Sequence, residues 1–200
     1  NNDMNNSDTR TRLINTMQRS LQRNGLHGTG LTELLSLAKA PKGSLYHHFP
    51  GGKEELAMAA IAQTADQLER FFSRLFSEHA DPLDAVAHWI QSALRRIEAS
   101  EFSLGCPLAA AALDSGPEDL DLRLAVNNAF NRIHRQFTAH ISAAGYPSDY
   151  SEDLSALLFS SYEGGLIMAR AAGDTLPLER AFRALLGQVR LQQKAFHHEL

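Results

Sequence analysis

Residues 42 to 53 read Lys42-Gly43-Ser44-Leu45-Tyr46-His47-His48-Phe49-Pro50-Gly51-Gly52-Lys53. The stretch is dense in hydrogen-bond donors suited to phosphate oxygens and base edges: Lys42, Ser44, Tyr46, His47 and His48. Leu45 and Phe49 sit among them as apolar anchors, so a short helix here has one face for a core and another for a ligand. Pro50-Gly51-Gly52 ends that helix. Lys53 then opens a new one, where its ammonium and the first free backbone N–H groups meet the same anion. This is the chemistry of a nucleic-acid backbone contact.

The upstream residues determine how the donors are presented. Leu31, Leu34, Leu35 and Ala38 fall at i, i+3, i+4 and i+7, one face of a helix, and Lys39-Ala40-Pro41 follows as a tight turn. Leu13, Ile14, Met17 and Leu21 form an earlier stripe that ends near Asn24-Gly25. Three short helices with this spacing make a helix-turn-helix, whose second helix lies in the major groove while the first crosses the backbone. Base reading is therefore assigned to Lys42, Gly43 and Ser44, where glycine lets the backbone approach and lysine meets guanine O6 and N7. Phosphate contact is assigned to Tyr46, His47 and Lys53, with Thr32 at the start of the preceding helix and Arg10 and Arg12 as further cations.

On these residues, positions 9–61 resemble the N-terminal DNA-binding domain of the TetR family of transcriptional repressors. Gly28-Thr29-Gly30-Leu31, Ala40-Pro41-Lys42-Gly43-Ser44 and the later Gly105-Cys106-Pro107-Leu108-Ala109-Ala110 resemble its LmrA- and YxaF-containing branch. There are two departures: Gly30 stands where most relatives cap the helix with Ser or Thr, and Lys39 stands where the turn usually has Gly. A positive φ at position 39 would strain lysine. The resemblance implies a homodimer closed by a four-helix bundle from the last two helices of each subunit. It also implies a planar, largely apolar small-molecule effector.

The whole chain of 200 residues has a formal net charge of −4, unpromising for a DNA binder until it is divided. Residues 1–53 carry seven Lys or Arg against three Asp or Glu, a net of +4; the rest carry twelve against twenty, a net of −8, which restores the −4 of the whole. A basic head on an acidic body orients toward phosphate. Apolar residues are 44% of the chain, enough for one small module and one larger core. No apolar run reaches membrane-spanning length and no secretory leader precedes the first helix, so no membrane association and a cytoplasmic location are expected. The single Cys106 agrees with a reducing compartment.

Beyond residue 53 the patterning is helical throughout, so the fold class is all-α with about nine helices: residues 1–56 the DNA-binding domain, residues 57–200 an effector-binding and dimerisation domain. In the last two helices Ser161, Gly165 and Ala169 are small residues one turn apart, while Phe182, Leu185, Leu186 and Val189 form an apolar stripe. These read as a dimer interface, with intrachain core as the alternative. Trp89, Phe102, Cys106, Phe130, His134, Tyr162 and Glu163 are candidate effector contacts, again with ordinary packing as the alternative.

Several sharper patterns fail. Ser36-Leu37-Ala38-Lys39 matches S-x-x-K by chance inside the helix-turn-helix, Gly51-Gly52-Lys53 lacks the rest of a P-loop, and the adjacent His47 and His48 diverge around a helix rather than sharing a metal. No cofactor and no metal site are expected. The two function classes are an operator-binding, ligand-responsive repressor and, as the alternative, an enzyme or carrier using the larger domain.

Overall fold

The computed structural model describes the backbone of residues 2–198 and the side chains of residues 8–193. Among the described residues there are nine helices and no strand: α1 (Asn2–Asn24), α2 (Leu31–Leu37), α3 (Lys42–His48), α4 (Gly52–Glu78), α5 (Pro82–Ala99), α6 (Pro107–Asp114), α7 (Leu120–Ala143), α8 (Ser148–Ala172) and α9 (Leu176–His198). The all-α class read from the periodicity holds. By packing, the chain forms two compact units, one of residues 1–70 with 106–133 and the other of residues 71–105 with 134–200. The first unit thus extends past the motif to take in α6 and the first half of α7.

In the first unit, α1 buries Leu13, Ile14, Met17 and Leu21, α2 buries Leu34 and Leu35, α3 buries Leu45, and α4 adds Leu56, Ala57, Ala60 and Ile61. The turn between α2 and α3 is a Schellman motif: Ala40 N–H donates to Leu35 O at 3.0 Å and Lys39 N–H to Ser36 O at 3.1 Å. That motif needs a left-handed residue at its centre, and Lys39 supplies it with φ +50°. A side chain there costs about 1 kcal/mol relative to glycine, the strain expected of this departure from the family pattern. A polar seam joins α1 to α4, with Gln63 Nε2 donating to Asn15 Oδ1 at 2.7 Å and Gln18 Nε2 to Gln67 Oε1 at 2.7 Å. Arg132 on α7 grips Glu69 on α4 through two nitrogens, at 3.0 and 2.5 Å, and Asp66 at 2.6 Å.

In the second unit, Asp81 caps α5 by accepting from Leu83 N–H at 2.8 Å, with Pro82 pre-set at the first helical position. The resulting helix buries Leu83, Val86, Trp89, Ile90, Ala93 and Ile97. Helices α8 and α9 form a hairpin closed by Gly173 at φ +62°. Their backbones approach closely at Gly165, where a Cβ would lie 2.6 Å from Leu178 Cδ1 and 3.2 Å from Leu178 Cα. Gly165, Ala169, Phe182, Leu185 and Val189 are all buried within the chain.

Candidate nucleic-acid interface

α3 presents two faces because its residues alternate in kind at helical spacing. Leu45 and Phe49 point inward, 0% and 1% exposed, while Lys42, Gly43, Tyr46 and His47 are exposed on the opposite side and Ser44 is half-buried between them. Inward anchors four residues apart fix the helix, and the i, i+1, i+4, i+5 set faces solvent as a consequence. Thr32 is exposed on α2, and Lys53, second residue of α4, is half-buried.

Gly43 has no reason for being glycine within the chain. Its φ is not positive, and a Cβ built on it meets nothing within 4 Å. Glycine inside a helix costs roughly 0.5–1 kcal/mol relative to alanine, and nothing in the described structure around position 43 offsets that cost. Gly52 is different: its φ is +70°, and a Cβ there would lie 3.4 Å from Tyr46 Cε1. The Tyr46 ring therefore lies against the start of α4, and the Gly51 N–H donates to Glu55 Oε2 at 2.6 Å to fix that start.

The two upstream arginines, both expected on phosphate, separate. Arg12 is a strut: its Nε donates to the Ala38 carbonyl at 3.1 Å, and its guanidinium also engages Asp8 and Thr9. It ties α1 to the end of α2. Arg10 lies over the Phe49 ring at 5.2 Å, a cation–π contact at the far end of α3. His48, half-buried, has its pKa pushed below 6.5 by burial, then by the neighbouring His47 and Arg10 charges. Its ring lies 6.4 Å from that of the inward anchor Phe49.

The residues considered for an effector divide between the units. Cys106, N-cap of α6, and Phe130 are half-buried in the first. In the second, Trp89 and Tyr162 meet with ring centroids 4.6 Å apart. They belong to a larger cluster: Phe72 packs edge-on against Trp89 (5.2 Å) and Phe137 (4.6 Å), and Phe159 packs on Phe137 (4.7 Å). Glu163 is half-buried next to Tyr162 in sequence. His134 turns elsewhere: its Nε2 lies 3.2 Å from the Glu152 carbonyl, and its own carbonyl accepts from Ser155 Oγ at 3.1 Å, so it serves the packing of α7 on α8. Phe102 sits in the α5–α6 connection with φ +58°, next to Glu101 at φ +51°. Phe72 and Phe159 were missing from the candidates, because helical spacing shows that an aromatic is buried but not which rings from four helices share one centre.

Of the seven residues read as a dimer interface, Gly165, Ala169, Phe182, Leu185 and Val189 are buried within the chain, Gly165 against Leu178 of α9 and Phe182 with its ring 6.1 Å from that of Trp89 on α5, and Ser161 and Leu186 are half-buried. The exposed apolar face is one residue away: Leu157, Gly164, Ile167 and Met168 on α8, and Ala184, Gly187 and Leu191 on α9.

Comparison with known proteins agrees with the geometry. Residues 13–60 match the family model for bacterial regulatory proteins of the tetR family, and residues 82–184 match the model for the C-terminal domain of LmrA/YxaF-like transcriptional regulators. The HTH-type transcriptional regulator YxaF of Bacillus subtilis is 30% identical over 171 residues, spanning 86% of this chain and 90% of that protein. LmrA of the same organism is 26% identical over 171 residues, 86% of this chain and 91% of its own. Among solved structures, the regulator CifR in complex with a 26-base-pair operator duplex superposes with a TM-score of 0.69 at 24% identity, covering 84% of this chain and 94% of that one.

Proposed function

From the premise that this chain belongs to the TetR family of bacterial transcriptional regulators, and so is a DNA-binding regulator, we propose that it is a cytoplasmic repressor. It would hold a palindromic operator as a homodimer and leave it when a small, largely apolar effector binds. The observation that carries the reading is Gly43 on the outer face of α3: a helix-weakening residue with open space around it, flanked by Lys42, Ser44, Tyr46 and His47. Lys42, Gly43 and Ser44 are assigned to base edges, and Tyr46, His47, Lys53 and Thr32 to phosphates.

One seven-residue helix reads few base pairs, so useful specificity calls for two half-sites related by a two-fold axis. The homodimer is assigned to the exposed α8–α9 face of Leu157, Gly164, Ile167, Met168, Ala184, Gly187 and Leu191. Met168 is 61% exposed and Leu191 62%, and exposed apolar residues interspersed with small ones at helical spacing suit helix-on-helix closure. The residues 57–200 then serve effector binding and dimerisation, and residues 1–56 DNA binding.

The effector is assigned to the aromatic cluster around Trp89 and Tyr162. Phe72 meets Trp89 and Phe137 edge-on while Trp89 and Tyr162 are tilted by 37°, and a planar apolar ring would join such a cluster through the same edge and offset contacts. An effector acts only through its preference for a conformer whose reading heads no longer match the operator. The relatives are named transcriptional regulators, a non-enzymatic role. Fluorescence anisotropy on the DNA upstream of the protein's own gene, at two salt concentrations and with a panel of planar aromatic compounds, tests the reading. Selective binding released by one compound supports it; weak, sequence-blind binding removed by salt overturns it.

A further inference from the structure

The last residue of α6 reaches back across 88 positions of sequence to the end of α1. Asp114 Oδ2 accepts from the Leu26 N–H at 2.5 Å and from the His27 N–H at 3.1 Å, and the Asp114 carbonyl lies 2.7 Å from His27 Nε2. Gly25 makes room for the carboxylate. Its φ is +70°, and a Cβ on it would stand 2.5 Å from Asp114 Oδ2. Any other residue at 25 would be strained by its backbone and would occupy the carboxylate's place. The loop that follows is held from its own side as well, by Thr29 Oγ1 donating to the Gly25 carbonyl at 2.6 Å.

Local preference does not place an aspartate here. A carboxylate at the C-terminal end of α6, beside the C-terminal end of α1, opposes both helix dipoles. The compensation is tertiary: two backbone donors just past the end of α1 are satisfied by one ionised acceptor, a charge-assisted pair stronger than a neutral one. The contact falls on the loop between α1 and α2, the segment from which the helix-turn-helix departs.

We propose that Asp114 is a positioning residue for the DNA-reading module: its carboxylate clamps the α1–α2 loop at Leu26 and His27 and so sets the orientation of α2 and α3 with respect to α6. The consequence for half-site spacing rests on the two-site, dimeric reading above. In the full-length dimer, a released loop lets each reading head rock, and the preference for one operator spacing is lost before the ability to bind DNA.

The test has two arms, run on full-length wild type, Asp114→Ala, Asp114→Asn and Gly25→Ala. In the first, amide exchange of residues 24–30 is measured without DNA. Asp114→Ala is expected to speed exchange at Leu26 and His27 roughly tenfold, Asp114→Asn by less because one oxygen acceptor remains, and α3 and α4 stay as protected as in wild type. Unchanged exchange at Leu26 and His27 overturns the clamp. In the second, a duplex selected by wild type from a random-sequence pool is compared with versions one base pair longer or shorter between half-sites. The wild-type spacing preference is expected to fall severalfold in Asp114→Ala and Gly25→Ala, with partial rescue in Asp114→Asn, whereas a merely destabilised head loses affinity for all spacings equally. Faster exchange with an intact spacing preference overturns the positioning role. A wild type indifferent to spacing overturns the two-site reading and with it the spacing consequence, while the exchange arm still decides the clamp.

Discussion

Replacing Gly43 with alanine should make the protein more stable and a poorer DNA binder, two effects that intrachain packing cannot produce together. The backbone at 43 is not left-handed and a Cβ there meets nothing within 4 Å, so the folded state accepts the methyl without strain. Alanine gains about 1 kcal/mol over glycine in a helix interior, and roughly half of that at the second residue of α3, where the first turn is only partly formed. For a chain of 200 residues this raises Tm by roughly 1–2 °C. On DNA the same methyl stands where the backbone should lie against the groove. A lost close contact costs on the order of 1–3 kcal/mol per half-site, and a dimer carries the change twice, so operator affinity should fall at least roughly tenfold. Differential scanning calorimetry and anisotropy on one preparation give both quantities. Gly30→Ser is the control: Gly30 caps α2 without a side-chain hydrogen bond and a Cβ there also meets open space, so serine should add a few tenths of a kcal/mol with no loss on DNA. A Gly43→Ala protein that is less stable, or that binds operator as well as wild type, would refute the argument that glycine is there for an external backbone approach.

Lys53→Ala and Tyr46→Phe should weaken binding to all sequences alike and flatten the salt dependence, whereas Lys42→Ala should also relax preference at one base position per half-site; binding to a substituted-operator series distinguishes the two. Met168→Glu, on the open α8 face, should shift the protein to monomer in sedimentation velocity while the helical content stays, whereas Gly165→Leu, aimed into Leu178, should cost several kcal/mol of folding stability, read by denaturant titration. His140 stacks on Phe76 at 4.3 Å, and burial holds its pKa below 6.5. Because the folded pKa is lower than the unfolded one, its contribution to stability is present above pH 6.5 and is lost as pH falls through the folded value. His140→Phe should therefore lose less stability than wild type between about pH 7 and pH 5, measured by thermal melts; equal losses would remove His140 from the acid response.

Much of this molecule was determined by short stretches of sequence. Glycine and proline signals placed the ends of α1 and α3 within a residue or two, since turn chemistry is local: a left-handed residue or a missing N–H acts where it stands. The inward set on α3 followed from Leu45 and Phe49 being four residues apart, which left Lys42, Gly43, Tyr46 and His47 outside. The strain at Lys39 was legible for the same reason. Tertiary structure decided what periodicity leaves degenerate. Helix α8 is apolar on two faces about 100° apart, so Gly164 and Gly165 read alike; only the approach of Leu178 made Gly165 the seam and left Gly164, Ile167 and Met168 open. Asp114 is a charged residue whose sequence neighbours give no hint of a partner, and the neighbours of Arg12 point to Asp8 one turn before it but not to the end of α2. The Ala38 carbonyl and the Leu26 and His27 amides that hold them are backbone groups, the same in every residue type, so which of them is within reach is a property of the folded chain alone.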